Sequence, residues 1–191
     1  MITAILLAAG QSKRLVNQNK LIKNYKRKPL INHVVQSIIK SKIEKLIIVL
    51  GFEYLKVKKK VNKNKKIQFV INHNYKKGIS SSIKCGLKKI SNKNYGFIIV
   101  QADMPKISKN IFNKLHTEIK TNKKEIFVPR KNNKIGNPIG FKISMINKLK
   151  KIYGNKGAKF IIKRNRPKIK YIRTKSLGIF KDIDLIKDFN S

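Results

Sequence analysis

This chain is short of cysteine and of negative charge. A single thiol, Cys85, among 191 residues excludes an internal disulfide and any cysteine-rich metal centre. Its expected role is packing, since a free cysteine behaves as a small buried hydrophobe. Long apolar runs are missing too. None approaches the roughly 18 residues a membrane helix needs. The opening MITAILLAAG lacks a basic start and meets Lys13 and Arg14 at once, so it reads as a buried first strand rather than a signal peptide. A cytoplasmic location and no membrane partner are the expectation. Repeats, linkers and low-complexity tails are lacking as well, so residues 1–191 are read as one domain.

Only 8 acidic residues face 47 basic ones, for a formal charge of +39. Such an excess suits a nucleic-acid binder. Composition supplies a simpler account: 41 Lys, 20 Asn and 32 Ile make up 93 of the 191 residues, and all three have A/T-rich codons. The lysines are spread over the whole length, and the densest run, KVKKKVNKNKK at 56–66, reads as a solvated helix end and loop. The chain also lacks an RNP-like aromatic motif and any recognised DNA-reading module, so nucleic acid is not the expected partner. A positive field would still collect an anionic substrate. The scarcity of carboxylates makes any aspartate beside an apolar run stand out.

What is present alternates. ITAILLAA, KLIIVLG, IQFVIN, GFIIVQAD and EIFVPR are short apolar, β-branched runs read as strands. Between them lie helical spacings: PLINHVVQSIIKS with Pro29 in the first turn, a basic helix, SSSIKCGLKKI with a serine-rich start, and SKNIFNKLHTEIK from about Ser108. GFKIS, helices through MINKLKKIY and GAKFIIKRN, a strand KIKYIR and a terminal helix from about Leu185 follow. Strand–helix alternation at this spacing predicts βαβ units and a mostly parallel sheet covered on both faces, a three-layer α/β/α Rossmann-like fold. Ligands in such sheets sit at the carboxyl ends of the strands, where AAGQSKR and QADMP fall.

After the first strand, Ala8, Ala9 and Gly10 keep side chains away from the main chain, so a base or phosphate can approach its N–H groups. Lys13, Arg14 and Lys20 add positive charge. The loop fits neither G-x-G-x-x-G nor G-x-x-x-x-G-K-S/T. Alone it supports an anion cradle or an ordinary strand-to-helix turn with solvated cations.

The pattern L-A-A-G-x-S-x-R…K-L resembles the signature of nucleotidyltransferases related to molybdenum cofactor synthesis, the MobA-like NTP transferases. Later blocks agree in order: NHNYKKGISSSIKCGL at 72–87, QADMP at 101–105, GNPIGF at 136–141, YGNKGAKFII at 153–162 and GIFKDIDLIKDF at 178–189. L-A-A-G and G-I-S-S-S bring the chain nearest the molybdenum cofactor cytidylyltransferases. The resemblance implies Mg²⁺-dependent transfer of CMP from CTP to a phosphorylated pterin acceptor, with release of pyrophosphate. It implies main-chain contacts to nucleotide at Leu7, Ala8, Ala9 and Gly10, and a grip on the triphosphate by Arg14 and Lys20. Ser82 is implied at the base, with helix N-capping the alternative role for Ser80 to Ser82. Asp103 and Asp184 are implied as metal ligands, with Asp182 second to Asp184. Gly136, Asn137 and Pro138 are implied on the acceptor side, and a molybdoenzyme or its maturation chaperone as a partner. For Asp103 the plain alternative is a turn-forming aspartate before Met-Pro.

Two positions depart from the pattern. Val16 stands where the family usually has glycine, and Asn155 replaces an aspartate in the G-D-x-G-A-K/R block. Competing readings are a same-fold enzyme using GTP or a sugar phosphate, a charge-driven nucleic-acid binder, and a relative that keeps the fold but hands a cofactor on without catalysis.

Overall fold

A computed structural model of the chain describes residues 1–11 and 19–190. The first strand, β1 (Ile2–Ala8), is followed by a two-residue ribbon of β2 (Asn24–Tyr25) and β3 (Lys28–Pro29). Helix α1 (Leu30–Ile39) starts directly after Pro29, whose fixed φ suits a helix entrance. β4 (Lys45–Leu50), α2 (Tyr54–Lys60), β5 (Ile67–Ile71), α3 (Ile79–Leu87) and β6 (Gly96–Gln101) continue the alternation. Then come α4 (Lys109–Thr121), β7 (Ile126–Lys131), β8 (Lys134–Ile135), β9 (Ile139–Lys142), α5 (Ile146–Lys150), α6 (Ala158–Arg164) and β10 (Ile169–Arg173). The end of the chain is a 3-10 turn, Ile186–Asn190, where the sequence suggests a longer helix.

Among the described residues the sheet has the order β10-β7-β9-β6-β1-β4-β5, with β8 hairpinned onto β7. β1 is parallel to β4 and β6 on either side, and β4 to β5. β9 alone on the main path runs against its neighbours β6 and β7. A strand buried on both faces needs apolar residues at every position, which is why β1, β4 and β6 read as continuous runs. Period-2 alternation then sends Ile2, Ala4, Leu6 and Ala8 into the layer under α1 and α4, and Ile5 and Leu7 into the layer under α3, α5 and α6.

The register sets Leu7 beside Val49 and Gln101, so the carboxyl ends of β1, β4 and β6 finish level. One lysine is structural: Lys66 Nζ donates to the carbonyls of Ile39, Ser41 and Ile43 at 3.1, 3.3 and 2.9 Å, satisfying the end of α1 and the turn into β4. Among the described residues no helix is long and apolar enough to cross a membrane.

Candidate active site

The carboxyl ends of β1 and β6 open into a cavity of about 520 Å³. Its walls include Leu7, Ala9, Gly10, Lys20, Ser82 and Asp103. Ala9 is small because the protein crowds it: a methyl at Gly51 would stand 2.7 Å from the Ala9 Cβ. Gly10 is different. A methyl built there meets nothing within 4 Å among the described residues. Ala8 does not join this wall. Its side chain points through the sheet into the α1–α4 layer, as the alternation of a strand requires.

Lys20 is positioned by a tight turn. Asn19, 1% exposed, accepts from the Leu21 N–H at 3.1 Å, and Leu21 is itself buried. The Lys20 ammonium donates to Asp103 Oδ2 at 2.7 Å, Asp184 Oδ1 at 2.7 Å and the Ile183 carbonyl at 2.9 Å. Asp103 follows β6, and its own carbonyl accepts from the Ile183 N–H at 2.9 Å. Ile183 is buried in the core, so its neighbours Asp182 and Asp184 turn outward together. Asp184 is further held by Asp188, whose Oδ2 accepts from the Asp184 and Leu185 N–H groups at 2.9 and 2.8 Å.

Burial opposes the charge on Lys20, but Asp103 and Asp184 outweigh it and hold the amine above its ordinary value. Burial raises the Asp103 carboxyl in spite of Lys20, and the nearby charge of Asp182 adds to the rise. Among the described residues Asp103 Oδ1 is buried and accepts no hydrogen bond. A buried acceptor left this way is costly and fits a hard cation. Among the described residues no group of three His, Cys, Asp or Glu forms a cage. A metal here would complete its shell with phosphate and water oxygens, the habit of Mg²⁺.

Ser82 lines the cavity from α3 and is 5% exposed. The serine block does not cap the helix. Gly78, at φ +94°, is the residue before α3, and no side chain caps it. The Gly154 carbonyl takes the Ser80 N–H at 3.1 Å, and a methyl at Gly78 would strike that carbonyl at 2.5 Å. The hydroxyls of Ser81 and Ser82 instead accept from Asn72 Nδ2 at 2.8 and 3.0 Å. Asn72 therefore fixes Ser82 while leaving its hydroxyl proton free to donate.

A second cavity of about 390 Å³ adjoins the first across Leu7, Ile79, Gln101 and Asn155, which line both. Gly136, Asn137 and Asp182 face it. Pro138 does not. It is buried behind the wall, because the 3-10 turn Leu177–Ile179 packs over the loop and the Ile179 carbonyl takes the Asn137 N–H at 2.9 Å. Arg14, Lys13 and Val16 lie outside the described residues. Sequence reasoning missed Gln101, Tyr75 and Gly78. A signal existed for Gln101: a polar residue directly after Phe97, Ile98, Ile99 and Val100, all 4% exposed or less.

Of the three histidines, His116 is buried on α4 beside Glu44 at 3.5 Å, and His33 is held by the Tyr25 carbonyl at 2.7 Å. Neither lines the two cavities. Cys85 is half-buried, and burial pushes its thiol up, away from a reactive thiolate.

A mostly parallel α/β sheet with a glycine-tipped strand, a lysine-bridged aspartate pair and two adjoining cavities at its carboxyl edge is of the doubly wound class, in which ligands bind at that edge. The chain belongs to the family of the MobA-like NTP transferase domain, whose model matches residues 4–169, and this is a nucleotidyltransferase family. Among curated relatives, a probable molybdenum cofactor guanylyltransferase of Natranaerobius thermophilus is 31% identical over 128 residues, covering 67% of this chain and 60% of that protein. A probable UDP-N-acetylglucosamine pyrophosphorylase of Acanthamoeba polyphaga mimivirus is 31% identical over 117 residues, 56% of this chain and 45% of that protein. The chain thus spans about half the length of the curated relatives it matches.

Solved structures share the fold. A nucleotidyl transferase from Methanothermobacter superposes with a TM-score of 0.84 at 15% identity, covering 100% of this chain and 94% of that one. Rv0371C of Mycobacterium tuberculosis, in complex with manganese, gives 0.80 at 19%, covering 99% and 96%. A 4-diphosphocytidyl-2C-methyl-D-erythritol synthase of Anaerococcus prevotii gives 0.77 at 15%, covering 99% and 92%.

Proposed function

We propose that the chain transfers CMP from CTP to a phosphorylated acceptor, the pterin of the molybdenum cofactor, with release of pyrophosphate. The observation that carries the reading is the placing of Gly10's open side, Ser82 and the Asp103–Lys20–Asp184 cluster around one cavity, with a second cavity alongside. The base lies against Leu7 and Ala9 in the cavity wall, and the Ser82 hydroxyl donates to it. Lys20, with Arg14, grips the triphosphate and spreads the charge that builds as the acceptor phosphate attacks the α-phosphorus in line. Asp103 and Asp184 would hold a Mg²⁺, which would supply positive charge to the phosphate oxygens. Gly136 and Asn137 shape the acceptor side, and a seam of Gln101 and Asn155 joins it to the nucleotide. Asn155 offers hydrogen bonds there without adding charge. The same reading puts the chain in the cytoplasm, passing its product to a molybdoenzyme or its maturation chaperone.

The relative named a guanylyltransferase favours a second reading, the same transfer from GTP. Pyrophosphate release with CTP, GTP, UTP and ATP, molybdenum cofactor present or absent and Mg²⁺ present or absent, tests both. Release that needs CTP, cofactor and metal together is the expected result. Preference for another base removes the cytidylyl assignment. Release driven by a sugar phosphate instead of the pterin removes the acceptor.

A further inference from the structure

The Lys20 ammonium sits where a divalent cation would be expected to gather the two carboxylates. It holds one oxygen of each, Asp103 Oδ2 and Asp184 Oδ1, and the Ile183 carbonyl between them. Of the oxygens Lys20 does not hold, Asp103 Oδ1 is buried and has no hydrogen-bond partner among the described residues. A carboxylate oxygen already held by an ammonium is a poor ligand for a cation that sheds its water reluctantly. A divalent charge entering here also meets the lysine's own charge at short range, in a pocket where solvent screens little: Lys20 is 13% exposed and Asp103 19%. Two carboxylates cannot balance an ammonium and a divalent metal. A triphosphate can, because it brings several negative charges and its own oxygens.

Resting on the reading above that Asp103 and Asp184 hold the metal, we propose that Lys20 is the resident counter-ion of this pair, and that the metal gains both carboxylates only when nucleotide draws the ammonium onto phosphate. Lys20 is then a positioning residue for the metal as well as a ligand of the triphosphate. The protein without nucleotide is kept from holding a divalent cation with no substrate to act on.

Mn²⁺ is the probe, followed by water-proton relaxation enhancement, which separates protein-bound metal from free ion and from Mn–CTP in solution. Without nucleotide, Lys20→Met and Lys20→Gln should bind Mn²⁺ at least about tenfold more tightly than the unmodified protein, since each removes the ammonium and frees the oxygen it holds on each carboxylate. The gain should vanish when Asp103→Asn is added. Lys76→Met takes an equal charge from the wall of the same cavity and should change affinity by less than about twofold. With CTP the unmodified protein should form the enhanced ternary complex.

Equal Mn²⁺ affinity in the unmodified protein and the Lys20 variants overturns the latch. So does an equal gain in Lys76→Met, which would make it a matter of field alone. In both cases loss of binding in Asp103→Asn would leave the metal site itself standing. Binding that ignores Asp103→Asn with and without CTP overturns latch and metal site together. If melting curves show that neither neutral Lys20 variant folds, the unmodified protein decides: Mn²⁺ bound as tightly without CTP as with it overturns the proposal.

Discussion

The two sides of the sheet's carboxyl edge are built differently. On β5, β4, β1 and β6 every strand runs the same way, and their ends finish level around Gly10 and Gln101. On β9, β7 and β10 the chain doubles back: β9 is reversed, β8 hairpins onto β7, and a 3-10 turn from the far end of the chain closes the wall. The first side leaves room, with bare main chain at Gly10. The second also borders a cavity, but Gly136 there serves the protein's own packing. A methyl at Gly136 would stand 2.6 Å from the Ile179 carbonyl, whereas one at Gly10 meets nothing within 4 Å among the described residues. A glycine beside a cavity is therefore evidence for a ligand only when the protein itself does not need it.

Four substitutions would break or sharpen that contrast. The largest effect belongs to Asp103→Asn on the parallel side, which should lower kcat/KM for pyrophosphate release about 10²–10³-fold. Unchanged turnover would remove Asp103 from the catalytic site. Next is Gly136→Ala, expected to cost about 1–3 kcal/mol in urea unfolding because backbone must shift to admit the methyl. A neutral result would show that the 177–179 turn gives way freely. Gly10→Val should leave the melting temperature alone and weaken nucleotide binding about tenfold by calorimetry, equivalent to about 1.4 kcal/mol. A loss of stability with full affinity would reverse the roles assigned to the two glycines.

The smallest effect lies away from both cavities, at Glu44. Burial would raise its carboxyl, but the Ile2 N–H at 2.9 Å and His116 outweigh it and hold it below its ordinary value. A carboxyl depressed in the folded state stabilises above its unfolded pKa of about 4.3, and that stabilisation is lost as pH falls through the lower folded value. At 36% exposure solvent screens the site, so the contribution is about 0.5 kcal/mol or less. Glu44→Gln should flatten the acid limb of a stability–pH curve below about pH 4.5 and leave neutral pH almost unchanged. An unaltered acid limb would discount the contact.

The parallel side was the more legible in the sequence, for a physical reason. Strands buried on both faces must be apolar throughout, so β1, β4 and β6 announce themselves. The carboxylates, rare in a basic chain, mark the end of β6 and the 182–184 segment. Long-range contacts could not be read. The serines at 80–82 look like a helix cap because nothing local shows that Gly154, far along the chain, already satisfies the Ser80 N–H. Ala8 looks like part of the nucleotide wall until the alternation of β1 is anchored to its two layers. The ribbon of β2 and β3 and the hairpin of β8 are two residues per strand, too short for any period to show. Pro138 shares a motif with Gly136 and Asn137 yet faces away, since neighbours in sequence need not face one cavity.

Lys66 carries a lesson for anyone wishing to tame this protein's charge. Its ammonium gathers three main-chain carbonyls, so it is exempt from the compositional drift that filled the surface with lysine. Wholesale replacement of exposed lysines by glutamine or glutamate should yield a better-behaved reagent, so long as positions 20 and 66 are spared. Acetylation at 66 alone would loosen the seam between the first helix and the second long strand.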